Sequence, residues 1–336
     1  MSFSFARISK YIRWIKGTRK EYIKNCNVSK EYADICDRLS WAMLLKRPKI
    51  TQNRIAKEKN EWILKYIADR IPETINKYHN YPAPDNLYCI QKEVRVWSMF
   101  WQGEEKAPEL FKLCIDSARR HTGHEVTVLS EDNYNQYFEI PEYMIRKLKE
   151  GKMIVQHICD FMVVAVLAAQ GGYFTGATVW YSKDVSDSIL KANFYSPAAK
   201  TDDPFFMSGC RWTGYLMAGN REFPLFQFAV DALKEYWKNN DIAVDYLMLD
   251  YVFELACRTI PYLNDVINNL PDNNLLRNDL IGILSEPYNE EQFKKYAEGD
   301  TFLYKLSWKF GKKEKKTADG HETIYGHMVK ECGDRL

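Results

Sequence analysis

The sequence predicts an α/β protein whose parallel, Rossmann-like sheet follows an N-terminal helical extension. Segments with the alternation of strands and segments with helical spacing succeed one another after residue 94. A proline-rich stretch at residues 81–86 separates them from a first part in which helical patterns alternate with charged turns. With 46% hydrophobic residues among 336, the chain can bury a large core. We therefore expect a helical extension over residues 1–85 and an α/β domain over residues 86–330.

The α/β domain is predicted element by element from this periodicity. In chain order, the predicted elements are a strand at 94–101, a helix at 108–120, a strand at 125–130, short helices around 131–137 and 141–149, a longer helix at 153–169, a strand at 173–181, short strands within 204–218 and two helices within 222–259. Gly171 suits a glycine C-cap for the longer helix. Strands separated by helices favour a parallel sheet, whose ligands collect at the carboxyl ends of the strands.

The composition narrows the class of protein. Lys and Arg exceed Asp and Glu by only 47 to 45, so the net charge indicates no nucleic-acid partner. The 8 cysteines form no CxxC pair and are typical of reduced thiols. The first residues lack the continuous apolar core of a signal peptide. We therefore expect a cytoplasmic protein.

Two segments raise the question of a membrane. Residues 161–182 carry no charge, but Gln170 and the glycine pair after it interrupt them, and the remaining apolar run suits a core helix. Residues 1–20 carry basic side chains and no acid, with apolar residues at helical spacing. Such a helix either lies on anionic lipid at the inner face of the cell membrane or packs on the domain with its basic side in water.

A series of motif positions in residues 96–120 resembles the start of the capsular polysaccharide synthesis glycosyltransferases. The matching positions are Trp97, Gln102, Gly103, Ala107, Pro108, Cys114 and Ser117. The similarity continues through the helix that carries Asp160, the double glycine, residues 244–253 and residues 305–329, so that it covers roughly 88–330. So many ordered matches are specific, whereas any one of them alone would be weak.

The resemblance implies a fold and a reaction. The family is related to glycosyltransferase family 32 and is similar to enzymes of the GT-A fold, a Rossmann-like domain that binds a nucleotide sugar. It implies transfer of a sugar, with retention of configuration, from a nucleotide-sugar donor, with UDP-sugars favoured. The implied acceptor is a glycan or lipid-linked saccharide of capsular or surface polysaccharide synthesis. A fold alone would not license these statements.

The end of the first strand is the first predicted part of the donor site. Trp101 offers an aromatic face on which a base can stack, Gln102 follows it, and Gly103 lets backbone approach a nucleotide. The alternative is a core tryptophan followed by an ordinary turn.

Asp160 is the second predicted part and a candidate catalytic residue. It interrupts an apolar helix, where an unpaired carboxylate would be costly, so it needs a partner. In the resembling family this aspartate belongs to an S-D-x-x-R motif and contacts donor ribose or sugar, whereas here Cys159 and Val163 replace the serine and the arginine. The alternative is that Asp160 pairs inside the protein, with His157 or a distant basic residue.

The strand after the double glycine, from Gly171 and Gly172 to Thr178, is the third predicted part. The family has D-x-D there, and this chain has Gly176 at the first position and Thr178 at the second. Mn²⁺ and Mg²⁺ prefer oxygen ligands, so Thr178 is the one remaining candidate ligand of this motif, and metal binding in the usual manner is not expected. Three explanations stay open: a metal-free site, a replacement carboxylate elsewhere, or loss of transfer activity.

Two later segments offer side chains for these alternatives. Donors for a metal-free diphosphate site are Ser307, Trp308, Lys309 and His327, although the same residues also suit an exposed basic tail. Asp245 and Asp250 stand at near-helical spacing and are candidate catalytic acids, for acceptor hydroxyls or as replacement metal ligands, although a solvated helix face explains at least one of them equally well. A second hypothesis is a degenerate family member that binds nucleotide or glycan, or serves as a scaffold in polysaccharide assembly, without turnover.

Overall fold

The structure of the protein is a computed structural model, and it describes residues 30–83, 93–309 and 313–333. The predicted basic helix at residues 1–20 lies outside the described residues, as do Cys26 and Cys89. The six cysteines within them are free thiols.

Helices form most of the described chain. In chain order they are α1 (Lys30–Leu44), α2 (Lys49–Ala68), α3 (Pro72–Tyr78), α4 (Glu109–Thr122), α5 (Glu142–Lys149), α6 (Val155–Gln170), α7 (Asp187–Leu190), α8 (Pro224–Asn239), α9 (Met248–Thr259), α10 (Pro261–Asn269), α11 (Glu290–Glu298) and α12 (Ile324–Gly333). The strands are β1 (Val96–Met99), β2 (Val126–Leu129), β3 (Gly172–Thr175), β4 (Val179–Tyr181), β5 (Phe194–Tyr195), β6 (Leu216–Gly219) and β7 (Leu303–Lys305).

The central sheet is mixed, with strand order β2-β1-β3-β6-β5. Strand β1 pairs in parallel with β2 and β3, so the predicted β-α-β unit through α4 is confirmed. Strand β6 runs antiparallel to both β3 and β5, which the prediction of a parallel sheet did not foresee. Parallel neighbours are usually joined by a crossover helix, and the connection from β3 to β6 contains β4, the four-residue α7 and β5 but no longer helix.

The predicted strand at 173–181 is two strands in two sheets. The Gly176 N–H donates to the carbonyl of Tyr215, at 2.7 Å, and this bond extends the pairing of β3 with β6 by one residue before the chain leaves the central sheet. After the turn, β4 pairs antiparallel with β7, with Val179 opposite Lys305. The N–H of Leu306 extends this ladder to the carbonyl of Thr178, at 2.7 Å. A distant segment of the chain is thereby fixed beside the turn at residues 176–178.

Helices α4, α5 and α6 agree with the predicted segments to within about two residues, whereas the segment predicted as a helix around 131–137 holds only a 3-10 helix, Tyr134–Gln136, and α9 starts later than expected. Helix α6 ends at the predicted C-cap, Gly171, whose φ is 67°. Helix α9 begins at Met248, three residues after Asp245, because the Asp245 carboxylate accepts the N–H of Leu247 at 2.9 Å and forms a turn there. The two acids that the sequence placed on one helix are therefore in different local structures.

The helices of the extension share the main core with the α/β part. Ile63 of α2 is fully buried in the same apolar cluster as the central residues of α6, α8 and α9. Polar contacts join the same surfaces: the Tyr251 hydroxyl donates to Asn60 at 2.9 Å, and Arg258 makes two hydrogen bonds to Glu61. The division of the chain at residue 85 stays a prediction.

Helix α6 lies in the protein core, as expected for the uncharged segment. From Phe161 to Leu167 its side chains are between 0 and 4% exposed. Among residues 30–83, 93–309 and 313–333, no helix combines the length and apolar character needed to cross a bilayer.

Candidate functional site

A cavity of about 840 Å³ opens at the carboxyl ends of β1 and β3. Its walls come from the chain after β1, the first turns of α6, the turn between β3 and β4, the start of α9 and the segment that follows β7. Most of the lining is apolar. Besides the aromatic residues, which include Tyr215 and Tyr246, the polar side chains that line it are Gln102, Gln156, Asp160, Thr178, Asp250, Lys305, Ser307 and Lys309.

The segment after β1 places an aromatic ring at the cavity. The Trp101 ring is half-buried and stacks on Tyr134, with 6.1 Å between centroids. The carbonyl of Trp101 accepts the N–H of Glu131 at 2.9 Å, which holds this segment against the chain after β2. Gln102 is exposed beside it. Gly103 lies just outside the lining, where its φ of 87° closes the turn.

Asp160 faces the cavity from the second turn of α6. Its side chain is 15% exposed, accepts a hydrogen bond from Gln156 at 2.8 Å and has the His157 Nδ1 at 3.9 Å. Within the described part of the chain, no lysine or arginine comes within salt-bridge distance of it. The carboxylate is thus held by its own helix and keeps a face toward the cavity. Cys159 and Val163, which replace the serine and arginine of the resembling motif, line the same wall.

Asp250 is a second cavity carboxyl, and its protonation is shifted toward neutral pH. Burial raises the pKa of Asp250 to about 6, and the nearby carboxylates of Asp160 and Asp245 add to the shift. The indole N–H of Trp212 donates to it at 2.9 Å and opposes the shift. A carboxyl with this pKa exchanges protons readily near physiological pH.

Asp245 does not line the cavity. Its Oδ2 forms an ion pair with Lys59 of α2 at 3.1 Å, and its Oδ1 caps the turn before α9. The expectation that Asp245 and Asp250 share a groove therefore fails for Asp245, because α9 starts after it. Its charge still reaches Asp250 through the effect on that pKa.

The turn after β3 differs from what the family motif would give. A Cβ at Gly176 would lie 2.8 Å from the Tyr215 carbonyl oxygen and 3.2 Å from the Tyr215 Cβ. Backbone thus occupies the space that an aspartate side chain would need. Thr178 is buried, and its hydroxyl accepts a hydrogen bond from the ammonium of Lys305.

Lys305 is a cavity residue that the sequence analysis did not single out. Its Nζ donates to the Thr178 hydroxyl and, at 2.8 Å, to the carbonyl of Leu306, and it lies 5.4 Å from the centroid of the Tyr215 ring. Burial lowers the pKa of Lys305. The available signal was a single lysine in the apolar run LYKLSW, but its position depends on the pairing of β7 with β4.

The segment after β7 lines the cavity through three of its predicted residues. Ser307, Trp308 and Lys309 follow β7 directly, and the Trp308 ring packs edge-on against Phe100 with 6.2 Å between centroids. The fourth residue predicted with them, His327, does not line the cavity.

The predicted donor residue His327 lies on α12, away from the cavity. Its ring stacks on Tyr288 with 3.6 Å between centroids and stands between the carboxylates of Glu322 and Glu331, each at 3.6 Å. These contacts account for His327 as a structural residue.

The double glycine lies at the opposite end of β3 from the cavity. The carbonyl of Gly171 accepts the indole N–H of Trp97 at 2.8 Å. Gly172 has a φ of 113°, and a Cβ there would come within 2.4 Å of the Arg95 carbonyl oxygen. Sequence reasoning grouped both ends of β3 into one site, and the geometry separates them by the length of the strand.

The residues at the motif positions do not fit a divalent cation. Gly176 supplies no side-chain oxygen, and the Thr178 hydroxyl already accepts a hydrogen bond from an ammonium group. Among the residues whose placement is described, no three His, Cys, Asp or Glu side chains cluster as a metal site would require.

The fold and the cavity define an α/β protein with a small-molecule cleft at the carboxyl edge of a mixed sheet. Comparison with family models makes the assignment specific. The model described as "Capsular polysaccharide synthesis protein" matches residues 45–328, so the chain belongs to that family. The match begins within the helical extension, earlier than the resemblance at residues 88–330.

Comparisons with individual proteins add little. No curated protein matches the chain. Among solved structures, the PaToxG glycosyltransferase superposes with a TM-score of 0.39 at 13% identity, over 63% of this chain and 83% of that one. A likeness this distant carries no argument about the present site.

Proposed function

We propose that this chain is a GT-A-type glycosyltransferase that binds a nucleotide sugar in the cavity and transfers the sugar to a glycan or lipid-linked saccharide. The family points to capsular or surface polysaccharide synthesis. The cavity lies where open α/β sheets bind ligands, and its volume suits one small molecule. The observation that carries the proposal is the convergence of Trp101, Asp160 and Asp250 on this one cavity.

In this proposal the donor lies along the wall formed by β1 and α6. The Trp101 ring stacks on the nucleobase, and the Asp160 carboxylate accepts hydrogen bonds from hydroxyl groups of the donor ribose or sugar. Gln156 holds Asp160 in place for that contact. UDP-sugars are the favoured donors, on the family resemblance alone.

Asp250 is proposed as the group that receives a proton during transfer. With a pKa of about 6, it is ionised at pH 7 and still basic enough to take the proton of an acceptor hydroxyl. The Trp212 N–H holds one carboxylate oxygen and leaves the other for the acceptor. Retention of configuration is part of the proposal through the resemblance, and NMR of the first-formed product measures it.

The test combines binding with turnover. Calorimetry with UDP, GDP, CDP, ADP and dTDP is expected to find one diphosphate that binds, and release of that diphosphate from its sugar nucleotide reports transfer or hydrolysis. Asp250→Asn should lower turnover by about 10²-fold or more, since general base catalysis contributes about 10²–10⁴-fold. Trp101→Ala should weaken binding. If none of the five binds, or if Trp101→Ala binds as well as the parent, the proposal fails.

A degenerate, binding-only protein is the second candidate. It is favoured by one observation, that Gly176 and Thr178 supply none of the carboxylates of the family motif. Nucleotide binding without turnover, with or without Mn²⁺ and with every donor of the panel, would decide for this candidate.

Attachment to the membrane through residues 1–20 also stays a proposal. Flotation with anionic vesicles, using the full chain and a chain that begins at residue 21, should show loss of flotation in the shorter chain. Equal flotation of both would end the idea.

A further inference from the structure

We infer that the Lys305 ammonium takes the place of a divalent metal ion in this cavity and binds the diphosphate of the nucleotide. The inference rests on the proposed function, and it concerns how the site neutralises its anionic ligand. It makes diphosphate binding independent of Mn²⁺ and Mg²⁺ and dependent on one residue of β7.

The first support is that the turn between β3 and β4 cannot hold a metal ion. A divalent cation needs several oxygen ligands at close range. At position 176 backbone of Tyr215 fills the space of a side chain, and at position 178 the one hydroxyl is the acceptor for Lys305. A divalent cation at that hydroxyl would stand next to a positive charge and be repelled by it.

The second support is that the fold fixes Lys305 at that turn. The ladder between β4 and β7 pairs Val179 with Lys305, and the bond from the Leu306 N–H to the Thr178 carbonyl extends it. A lysine on a strand that is already ordered loses less conformational entropy when a ligand binds than a lysine on a free surface segment would. The cation is therefore positioned before the ligand arrives.

The third support is the hydrogen-bond count at the ammonium group. An ammonium has three N–H donors, and among the described residues Lys305 uses two of them, to Thr178 and to the carbonyl of Leu306. Both are neutral acceptors, so the positive charge has no carboxylate partner in these bonds. A diphosphate oxygen satisfies both the remaining donor and the charge.

In the transfer step, the ammonium stabilises the charge that appears on the leaving group. The bond between the anomeric carbon and the β-phosphate oxygen breaks, and its electron pair stays on that oxygen. The new bond forms from the acceptor hydroxyl oxygen to the anomeric carbon, and the hydroxyl proton passes to Asp250. A fixed cation in a largely apolar cavity stabilises such charge more strongly than one in water.

Lys112 of α4 provides a control, because it is an exposed lysine outside the lining of the cavity. Interactions of an exposed cation with phosphate are screened by water and salt. Loss of Lys112 should therefore have a much smaller effect than loss of Lys305, although the two substitutions remove the same charge.

The experiment is calorimetry on the full chain after EDTA treatment, with UDP and inorganic pyrophosphate as probes, in the presence and absence of Mn²⁺. The parent should bind without metal, and Mn²⁺ should change Kd by less than about 3-fold. Lys305→Met should weaken binding by about 10-fold or more, since a charge-assisted bond of about 1.4 kcal/mol or more is lost. Lys305→Arg should recover most of the affinity, and Lys112→Met should stay within about 3-fold of the parent.

Three results would overturn the inference. Binding of either probe only when Mn²⁺ is present contradicts it and leaves the proposed function standing. Equal losses in Lys305→Met and Lys112→Met contradict it as well. If the parent binds neither probe, with or without Mn²⁺, the inference fails; if GDP, CDP, ADP and dTDP also do not bind, its basis, the proposed function, fails with it. A thermal unfolding midpoint for Lys305→Met near that of the parent excludes misfolding as the cause of weaker binding.

Discussion

Glycines stand at both ends of β3, Gly172 as its first residue and Gly176 directly after its last, and they differ in what surrounds them. At the first end, Gly172 is closed in by the Arg95 backbone and the Trp97 indole. At the second, Gly176 touches the backbone of Tyr215 on one side and borders the open cavity on the other. In both places neighbouring backbone occupies the position of a Cβ. The comparison teaches that a side chain at either position would have to displace neighbouring backbone, at 176 as well as at 172.

The largest expected effect is at the closed end. Gly172→Ala adds a Cβ at a φ of 113° and within 2.4 Å of the Arg95 carbonyl oxygen. Backbone strain of about 1–3 kcal/mol and overpacking of about 1–3 kcal/mol should together lower the free energy of unfolding by about 3 kcal/mol or more. Urea unfolding measures it. Gly123→Ala is the control, because Gly123 has a φ of 65° and open space around its missing Cβ, so only strain applies. Equal losses in both variants would contradict the role of the clash.

The next largest effect is at the cavity end. Gly176→Asp should lower the free energy of unfolding by about 1–3 kcal/mol, because a Cβ would come within 2.8 Å of the Tyr215 carbonyl oxygen. Thermal unfolding with and without Mn²⁺ should show no stabilisation by the metal. Gly214→Ala, at a cavity glycine with nothing near its missing Cβ, should stay within about 0.5 kcal/mol of the parent. Stabilisation of Gly176→Asp by Mn²⁺ would show that the turn accepts a metal ligand.

This difference between the two ends marks the limit of what the sequence predicts. Local periodicity was sufficient for β1, α4, β2 and α6, because each depends on residues near it in the chain. It failed at 173–181, where the turn depends on a carbonyl some forty residues further on. Local periodicity also missed the two-residue β5 and the antiparallel direction of β6, since the strands that pair with them are distant in the chain.

A cavity residue was predictable from the sequence where its position depends on residues near it in the chain. Trp101, Gln102, Asp160 and Asp250 reach the cavity from elements that the sequence placed correctly or nearly so. Lys305 reaches it only through the ladder between β4 and β7, which no local pattern reveals. His327 and the double glycine matched the family in sequence but lie away from the cavity. Their roles as donor residues have no support in the geometry.

A third prediction concerns the pH dependence of the free energy of unfolding, which should be larger at the cavity, where Asp250 lies, than at the closed end of β3. The raised pKa of Asp250 means that the native state holds its proton more tightly than the unfolded state. Its contribution to the free energy of unfolding therefore falls as pH rises from about 4 to about 6. Asp250→Asn should remove that fall and be more stable than the parent at pH 7, by about 1–2 kcal/mol after allowance for cavity water.

Unfolding by urea at pH 4, 5, 6 and 7 measures the effect of Asp250→Asn. The control is Asp245→Asn, which breaks the ion pair with Lys59 and should lower stability at pH 7. Parallel curves for Asp250→Asn and the parent across this range would contradict the shifted pKa.

The smallest expected effect concerns stability at Lys305. Because burial lowers its pKa, the charged form is disfavoured in the native state. The contribution of Lys305 therefore increases as pH rises through its native pKa toward 10.5. Lys305→Met removes this cost and also the bond to Thr178, so the net change at pH 7 should be about 1 kcal/mol or less.

Comparison of pH 7 with pH 10.5, the ordinary pKa of lysine, sharpens this last prediction. The parent should gain stability relative to Lys305→Met as pH rises, and thermal unfolding in matched buffers reports the difference. The opposite trend would mean that the ammonium stabilises the empty fold and is kept for structural reasons.

The ladder between β4 and β7 also bears on when the cavity becomes complete during synthesis. Its two strands are separated by more than a hundred residues, including α8 and α9. When β4 has emerged from the ribosome, only one of the two strands of this ladder is present. The other strand, β7, emerges only after the intervening helices. Nascent chains that end before β7 cannot retain an anionic ligand through Lys305. Protection from protease by the ligand should therefore appear abruptly as chain length increases. Ligand retention would thus report that translation has passed β7.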